Sequence, residues 1–135
     1  MKKGEIYITE YDMKRLRSLI EIGSKKDAGY LERLEEELDR AIIVDPKDIP
    51  EDVITMNSRV RIRDVDSGEE RTFILVFPGQ GQTSEMAISV LAPIGTALLG
   101  YREGEIIEWE VPGGLKRFQV AEIVYQPERL GNYTL

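Results

Sequence analysis

"SVLAPIGTALLGYREGEIIEWEVPGG", residues 89–114, decides how this chain is read. It opens like a strand, meets Pro93, and runs apolar through Ile94, Ala97, Leu98 and Leu99 between Gly95 and Gly100. It then becomes charged and reaches a Pro-Gly-Gly turn. The apolar part is far shorter than the ~18 residues of a membrane span. It predicts a loop and one or two helical turns over residues 94–99, set between strands. "EIIEWEVPGGLKRFQVAEIVY" reads as a hairpin about Pro112, Gly113 and Gly114, with Trp109 as a core residue.

Working outward, the strand pattern extends upstream. "SRVRIRDV" alternates at Val60 and Ile62, "DSGEE" supplies turn chemistry, "RTFILVF" is a denser run expected to be buried on both faces, and "MAISVL" is a short strand. "PGQGQTSE" has a G-x-G after a strand, but it lacks the third glycine and the helix of a dinucleotide loop. The first third is instead helical. Thr9 with Asp12 resembles a capping box, Met13, Leu16, Leu19 and Ile20 follow at helical spacing, and Gly23 ends the helix. After "SKKDAG", Leu31, Leu34, Leu38, Ala41 and Ile42 make a second seam of under two heptads. So short a connection predicts antiparallel neighbours. Glu32, Glu35, Glu36, Glu37 and Asp39 are expected on the solvated face.

"VDPKDIPED", at residues 44–52, breaks the helical pattern with two prolines and five charges. The expected organisation is an N-terminal helical hairpin over 1–45, a linker over 46–52, and a β-rich domain over 53–135. The fold class is α+β.

Composition narrows the function. The chain has 135 residues, no cysteine and no histidine, which removes thiol nucleophiles, disulfides, imidazole bases and the commonest metal ligands. No G-x-S-x-G elbow is present. The expectation is therefore a protein that is not an enzyme and takes no cofactor. The net charge is −7, with 10 basic and 14 acidic residues in 1–52 and 8 and 11 in 53–135. No basic stripe remains for phosphates, so direct nucleic-acid binding is not expected, whereas a basic protein partner would suit the surface. "MKKGEIYITEYD" has no signal-peptide apolar core, which predicts a cytoplasmic protein without membrane contact. A monomer is expected, with pairing of the leucine seam between chains as the alternative.

The order of "SVLAPIGTALLGYREGEIIEWEVPGG" resembles the C-terminal domain of the bacterial Gre transcript-cleavage factors. There a Ser-Pro-Ile/Leu-Gly segment, a short helix ending in Leu-Gly, a Gly-Asp/Glu and a Pro-Gly-Gly hairpin follow one another. "ELDRAIIVDPKDIPEDVITMNSRVRIRD" and "VYQPERLGNYTL" look more like one branch of that superfamily, the Rnk type, or regulators of nucleoside diphosphate kinase. The resemblance implies an FKBP-like C-terminal domain, a short coiled coil, and docking on RNA polymerase at the rim of its secondary channel.

It also implies which residues would dock: Ala92, Pro93, Ile94 and Gly95, with Leu98 on the adjoining helix. A proline-stiffened apolar loop loses little entropy on binding, and Ile94 is its natural anchor. The sequence departs from the Gre pattern at Ala92, where those factors often carry serine, and at Tyr101, where lysine is usual. Gre factors hold a catalytic magnesium with paired acids at the tip of a long coiled coil. Here the tip offers Asp27 beside Lys25 and Lys26, and a helix of about 13 residues spans only ~20 Å. The expectation is a Gre-like binder without stimulation of transcript cleavage. Control of nucleoside diphosphate kinase by direct binding and an FKBP-like prolyl isomerase are the alternatives.

Overall fold

The computed structural model describes residues 6–23, 25–79, 86–111 and 113–133, excluding the side chains of residues 109–111. Most of "PGQGQTSE", Pro112 of the hairpin turn and the Trp109 side chain therefore lie outside the described residues. The chain begins with strand β1 (Tyr7–Thr9) and helix α1 (Glu10–Ile22). Thr9 caps α1 as its spacing predicts, its Oγ1 accepting the Asp12 N–H at 3.1 Å. Gly23 ends α1 in an extended conformation rather than a left-handed one. Glycine suits the position for space, because a Cβ there would lie 2.1 Å from Leu31 Cδ1.

A 3-10 turn at Lys25–Asp27 leads into α2 (Ala28–Asp39), which returns beside α1 and buries Leu31, Leu34 and Leu38. The second seam stops earlier than its leucines suggest. Ala41 and Ile42 are outside the helix, and Ile42 opens strand β2 (Ile42–Val44), which pairs in parallel with β1. Three consecutive β-branched residues favour an extended strand, and the Ile42 N–H donates to the Ile6 carbonyl at 2.9 Å. The hairpin is thus closed at its base by a two-stranded ribbon.

The segment after β2 is folded against the end of the chain. Asp45 caps a 3-10 turn at Pro46–Asp48. Gln126 Nε2 donates to the carbonyls of Pro50 and Val53, and the Arg129 guanidinium donates to that of Glu51.

Beyond it, β3 (Arg59–Asp64), β4 (Glu70–Val76), β5 (Ala87–Ser89), β6 (Ile106–Val111) and β7 (Gly114–Tyr125) form one sheet in the order β5-β4-β3-β7-β6. Its pairings are antiparallel except β4 with β5. β3 turns Val60, Ile62 and Asp64 inward and Arg59 and Arg63 outward, the alternation expected of a half-covered strand. β4 is less buried than its apolar run suggests: Leu75 and Val76 are buried, whereas Phe73 and Ile74 are only partly covered. Helix α3 (Pro93–Leu98) lies between β5 and β6 and packs against α2.

A single core joins the two parts. Met13, Leu16, Leu34 and Leu38 from the helices cluster with Ile54, Met56, Val60, Leu75, Leu98, Leu99, Val120 and Ile123. A fully buried leucine of this kind contributes roughly 1.5–3 kcal/mol. The hairpin therefore lies on the body of the protein. The molecule mixes N-terminal helices with a C-terminal sheet, the α+β arrangement expected.

Candidate functional site

The stretch 89–101 is built as a clamped turn. Ser89 Oγ accepts the Leu91 N–H at 3.1 Å, and the Ser89 carbonyl accepts the Ala92 N–H at 3.0 Å. Pro93 occupies the first turn of α3, where its missing N–H costs nothing. Thr96 closes the turn from the other side, donating its hydroxyl to the Val90 carbonyl at 2.6 Å. Gly95 permits the close approach, since a Cβ there would sit 2.0 Å from the Ser89 carbonyl oxygen. Gly100 then turns the chain at φ 81°, and its N–H and Tyr101's carbonyl tie it to the two sides of Ile54 at 3.0 and 2.8 Å. Ala92 stands at the N-cap without a side-chain hydrogen bond, where a serine could supply one.

This frame sorts the predicted docking residues. Leu98 is 0% exposed in the core, so the expectation that it contacts a partner directly is corrected. The shared core explains the result, because Leu98 belongs to the buried cluster that includes Leu34, Leu38 and Ile54. Gly95 is buried and acts through backbone geometry. Ala92, Pro93 and Ile94 are half-buried.

Pro93 and Ile94 border different cavities. Ile94 roofs a cleft of 410 Å³ over the sheet, with Ile62, Phe73 and Phe118 as apolar walls. At its rim Asp64 accepts from Lys116 at 3.4 Å, and Glu69 from Arg71 at 3.1 Å. The backbone N–H groups of Ser67 and Asp66, with some help from Lys116, hold the Asp64 carboxyl below its ordinary pKa. The cleft can take an apolar side chain; its charged rim is already paired.

Pro93 instead borders a groove of 430 Å³ shared with Lys26, Gly29, Tyr30 and Arg33 of the hairpin. The fold thus brings the predicted tip and the predicted docking loop together at Lys26 and Pro93. Lys25 is exposed in the same 3-10 turn, and Asp27 is half-buried at its end. Among the described residues, no three or more His, Cys, Asp or Glu side chains group so as to hold a metal. No helix among them is long and apolar enough to cross a membrane.

One feature had no clear sequence signal. Asp12, in the first turn of α1, is 2% exposed. Burial and then the charge of Glu128 push its carboxyl up to about 7, although N–H donation from Met56 favours ionisation. Burial raises Glu128 as well, against a 2.7 Å hydrogen bond from Thr55 Oγ1. Capping position predicts a solvated acid, and only the chain folding over α1 makes it a buried one.

Comparison with known proteins places this geometry. Residues 49–125 match the family model for the C-terminal part of the GreA/GreB transcription elongation factors, and residues 5–44 match that for the Rnk N-terminus. The chain is 42% identical to the "Regulator of nucleoside diphosphate kinase" of Escherichia coli (strain K12), covering 100% of both chains. It is 32% identical to the "Transcription elongation factor GreA" of Clostridium botulinum (strain Eklund 17B / Type B), over 74% of this chain and 65% of that one. A solved structure from Nitrosomonas europaea, described as a prokaryotic GreA/GreB elongation factor, superposes with a TM-score of 0.76 at 46% identity, over 91% of this chain and all of that one. These relatives are named as a regulator and as elongation factors rather than as catalysts. With the Rnk-type helical hairpin and the Gre-type sheet both matched, the chain belongs to the Gre transcription elongation factor superfamily, in its Rnk branch.

Proposed function

We propose that this protein binds RNA polymerase at the rim of the secondary channel and regulates transcription without stimulating transcript cleavage. The observation that carries this reading is the clamped Ser89–Tyr101 turn, which leaves Ala92, Pro93 and Ile94 partly uncovered on a rigid frame. A pre-organised apolar edge loses little entropy on docking, and Ile94 is the anchor. In this reading the sheet and α3 form an FKBP-like platform, and the helices form a short coiled coil packed along it.

The hairpin supports the non-cleaving part. α1 has 13 residues, about 20 Å of helix, and its tip lies beside α3. Lys25 and Lys26 accompany the single tip acid Asp27, which is too few carboxylates to hold magnesium. The protein would occupy the docking position of a cleavage factor while leaving the channel interior empty.

Competition against a Gre factor on RNA polymerase tests the reading. Displacement by the wild-type chain, lost with Ile94→Asp, is the expected result. No displacement at saturating protein defeats it. In a backtracked elongation complex the protein should leave transcript length unchanged; shortening that depends on Asp27 defeats the non-cleaving part.

A second reading is direct control of nucleoside diphosphate kinase, favoured by the name of the relative matched over the whole chain. Retention of the purified kinase, without polymerase, on the immobilised protein would select it. A prolyl-isomerase reading has Phe73 and Phe118 in the Ile94 cleft in its favour, and turnover of a proline peptide above background would select that instead.

A further inference from the structure

The groove between the hairpin and Pro93 is bordered by two cations and no acid, in a chain whose net charge is −7. Lys26 and Arg33 border it, both exposed, and neither has an ion-pair partner among the described residues. The nearby cation Arg40 is different: it is paired with Glu37 at 3.1 Å. Arg17 is likewise held by Asp39, at 2.9 Å. Between the two unpaired cations lie Tyr30, 46% exposed, and Gly29. Pro93 forms the opposite wall.

Gly29 adds an independent observation. It is the second residue of α2, its φ is not positive, and a Cβ on it would meet nothing within 4 Å. Neither backbone geometry nor packing within the chain requires a glycine, and in a helix glycine is less favourable than alanine. What its bare backbone provides is open space at the floor of the groove.

We propose that this groove receives a short acidic segment of a protein partner. Two carboxylates of the segment pair with Lys26 and Arg33. An apolar side chain between them lies against Tyr30 and Pro93, and the segment's backbone approaches over Gly29. Charge selects this occupant: two unpaired cations match a pair of carboxylates. A nucleic acid requires several neutralised phosphates for comparable affinity, and the chain's net charge of −7 repels a polyanion. The inference deepens the docking reading, because Pro93 belongs to both the groove and the proposed polymerase-facing edge. The partner surface would therefore present an acidic segment next to the apolar pocket that takes Ile94.

The test is an NMR titration of the ¹⁵N-labelled full chain with three probes. These are a 12-residue Asp/Glu-rich peptide carrying one leucine, its Asn/Gln counterpart, and a 12-nucleotide single-stranded DNA. The acidic peptide should shift the Gly29, Tyr30 and Arg33 amides, and the Lys26→Glu/Arg33→Glu double variant should lose the effect. No shift at these amides, equal shifts with the neutral peptide, or tighter occupation by DNA overturns the inference.

A parallel measurement uses RNA polymerase. The double variant should bind it roughly thirtyfold more weakly, the effect of two exposed ion pairs at the top of their usual range. Unchanged polymerase binding by the variant overturns the groove while leaving the Ile94 docking reading intact. Acidic-peptide binding in the groove without polymerase binding by the wild type defeats the docking reading while supporting the groove. Both substituted side chains are exposed, and an unchanged melting temperature shows that the variant is folded.

Discussion

Asp12 Oδ2 accepts the backbone N–H of Met56 at 3.2 Å, joining the first turn of α1 to the chain that enters the sheet, 44 residues away in sequence. Thr9 Oγ1 receives the Asp12 N–H in the same turn, so one acidic residue both completes a helix cap and fastens the hairpin to the body. Glu128 approaches from the C-terminal 3-10 turn and is held by Thr55 at 2.7 Å.

This arrangement makes stability depend on pH with a definite sign. The folded Asp12 carboxyl titrates at about 7 instead of its ordinary 3.8, so folding favours its protonated form. Its contribution is most favourable below pH ~4, declines as pH rises toward about 7, and is flat above that. At about 1.4 kcal/mol per unit, the loss is a few kcal/mol. Glu128, also raised, adds in the same direction, while Asp64, lowered, adds stability that is lost in acid. Urea denaturation should therefore give maximum stability near pH ~4 and a decline that levels off above about pH 7. Asp12→Asn should flatten that decline and exceed the wild type at pH 8. An equal slope in the variant would assign the pH dependence elsewhere.

Gly95→Ala should destabilise the fold by about 3 kcal/mol, at the upper end for overpacking. The added methyl would meet the Ser89 carbonyl oxygen, which is backbone and already accepts the Ala92 N–H. Thermal unfolding measures it; a variant as stable as the wild type would show that the turn relaxes freely.

Ala92→Ser should stabilise α3 by about 1 kcal/mol, because its N-cap has no side-chain hydrogen bond. The melting temperature should rise by a few degrees. A fall would mean that the Ser89 turn leaves the new hydroxyl no room to reach the helix N–H groups.

Leu98→Ala and Ile94→Ala separate core from edge. Leu98 is wholly buried, so its truncation should cost about 3 kcal/mol of unfolding free energy. Ile94 is half-covered at the cleft mouth, and its truncation should cost roughly 1 kcal/mol while weakening docking. Equal losses of stability would move Ile94 into the core.

Gly29→Ala should add about 0.5–1 kcal/mol to stability, since a methyl meets nothing and the unfolded chain loses freedom. Chemical denaturation of the unliganded protein reads it directly.

Much of this molecule is local and could be read from its residues. The Thr9 cap, the leucines at helical spacing, the alternation of Val60 and Ile62, and the strands flanking Gly113 and Gly114 each depend on neighbours a few positions away. Backbone geometry and hydrophobic period specify such elements without long-range information. The helix expected over Ala41 and Ile42 gives way to a strand for the complementary reason. An apolar run at the end of a helix fits either period, and it was pairing with Tyr7–Thr9, over 30 residues earlier, that made it a strand.

What only the tertiary structure decided is which parts meet. Sequence marked the hairpin tip and the Ala92–Gly95 loop as separate candidates, and spacing cannot bring Lys26 to Pro93. Packing of α2 on α3 does so; the shared core buries Leu98, and the chain around Met56 and Glu128, folded over α1, turns Asp12 into a buried carboxyl. The elements follow from short-range sterics and hydrophobic periodicity. The groove, the cleft and the raised Asp12 exist only once a shared core holds distant segments against one another, because burial and desolvation are properties of that assembled interior.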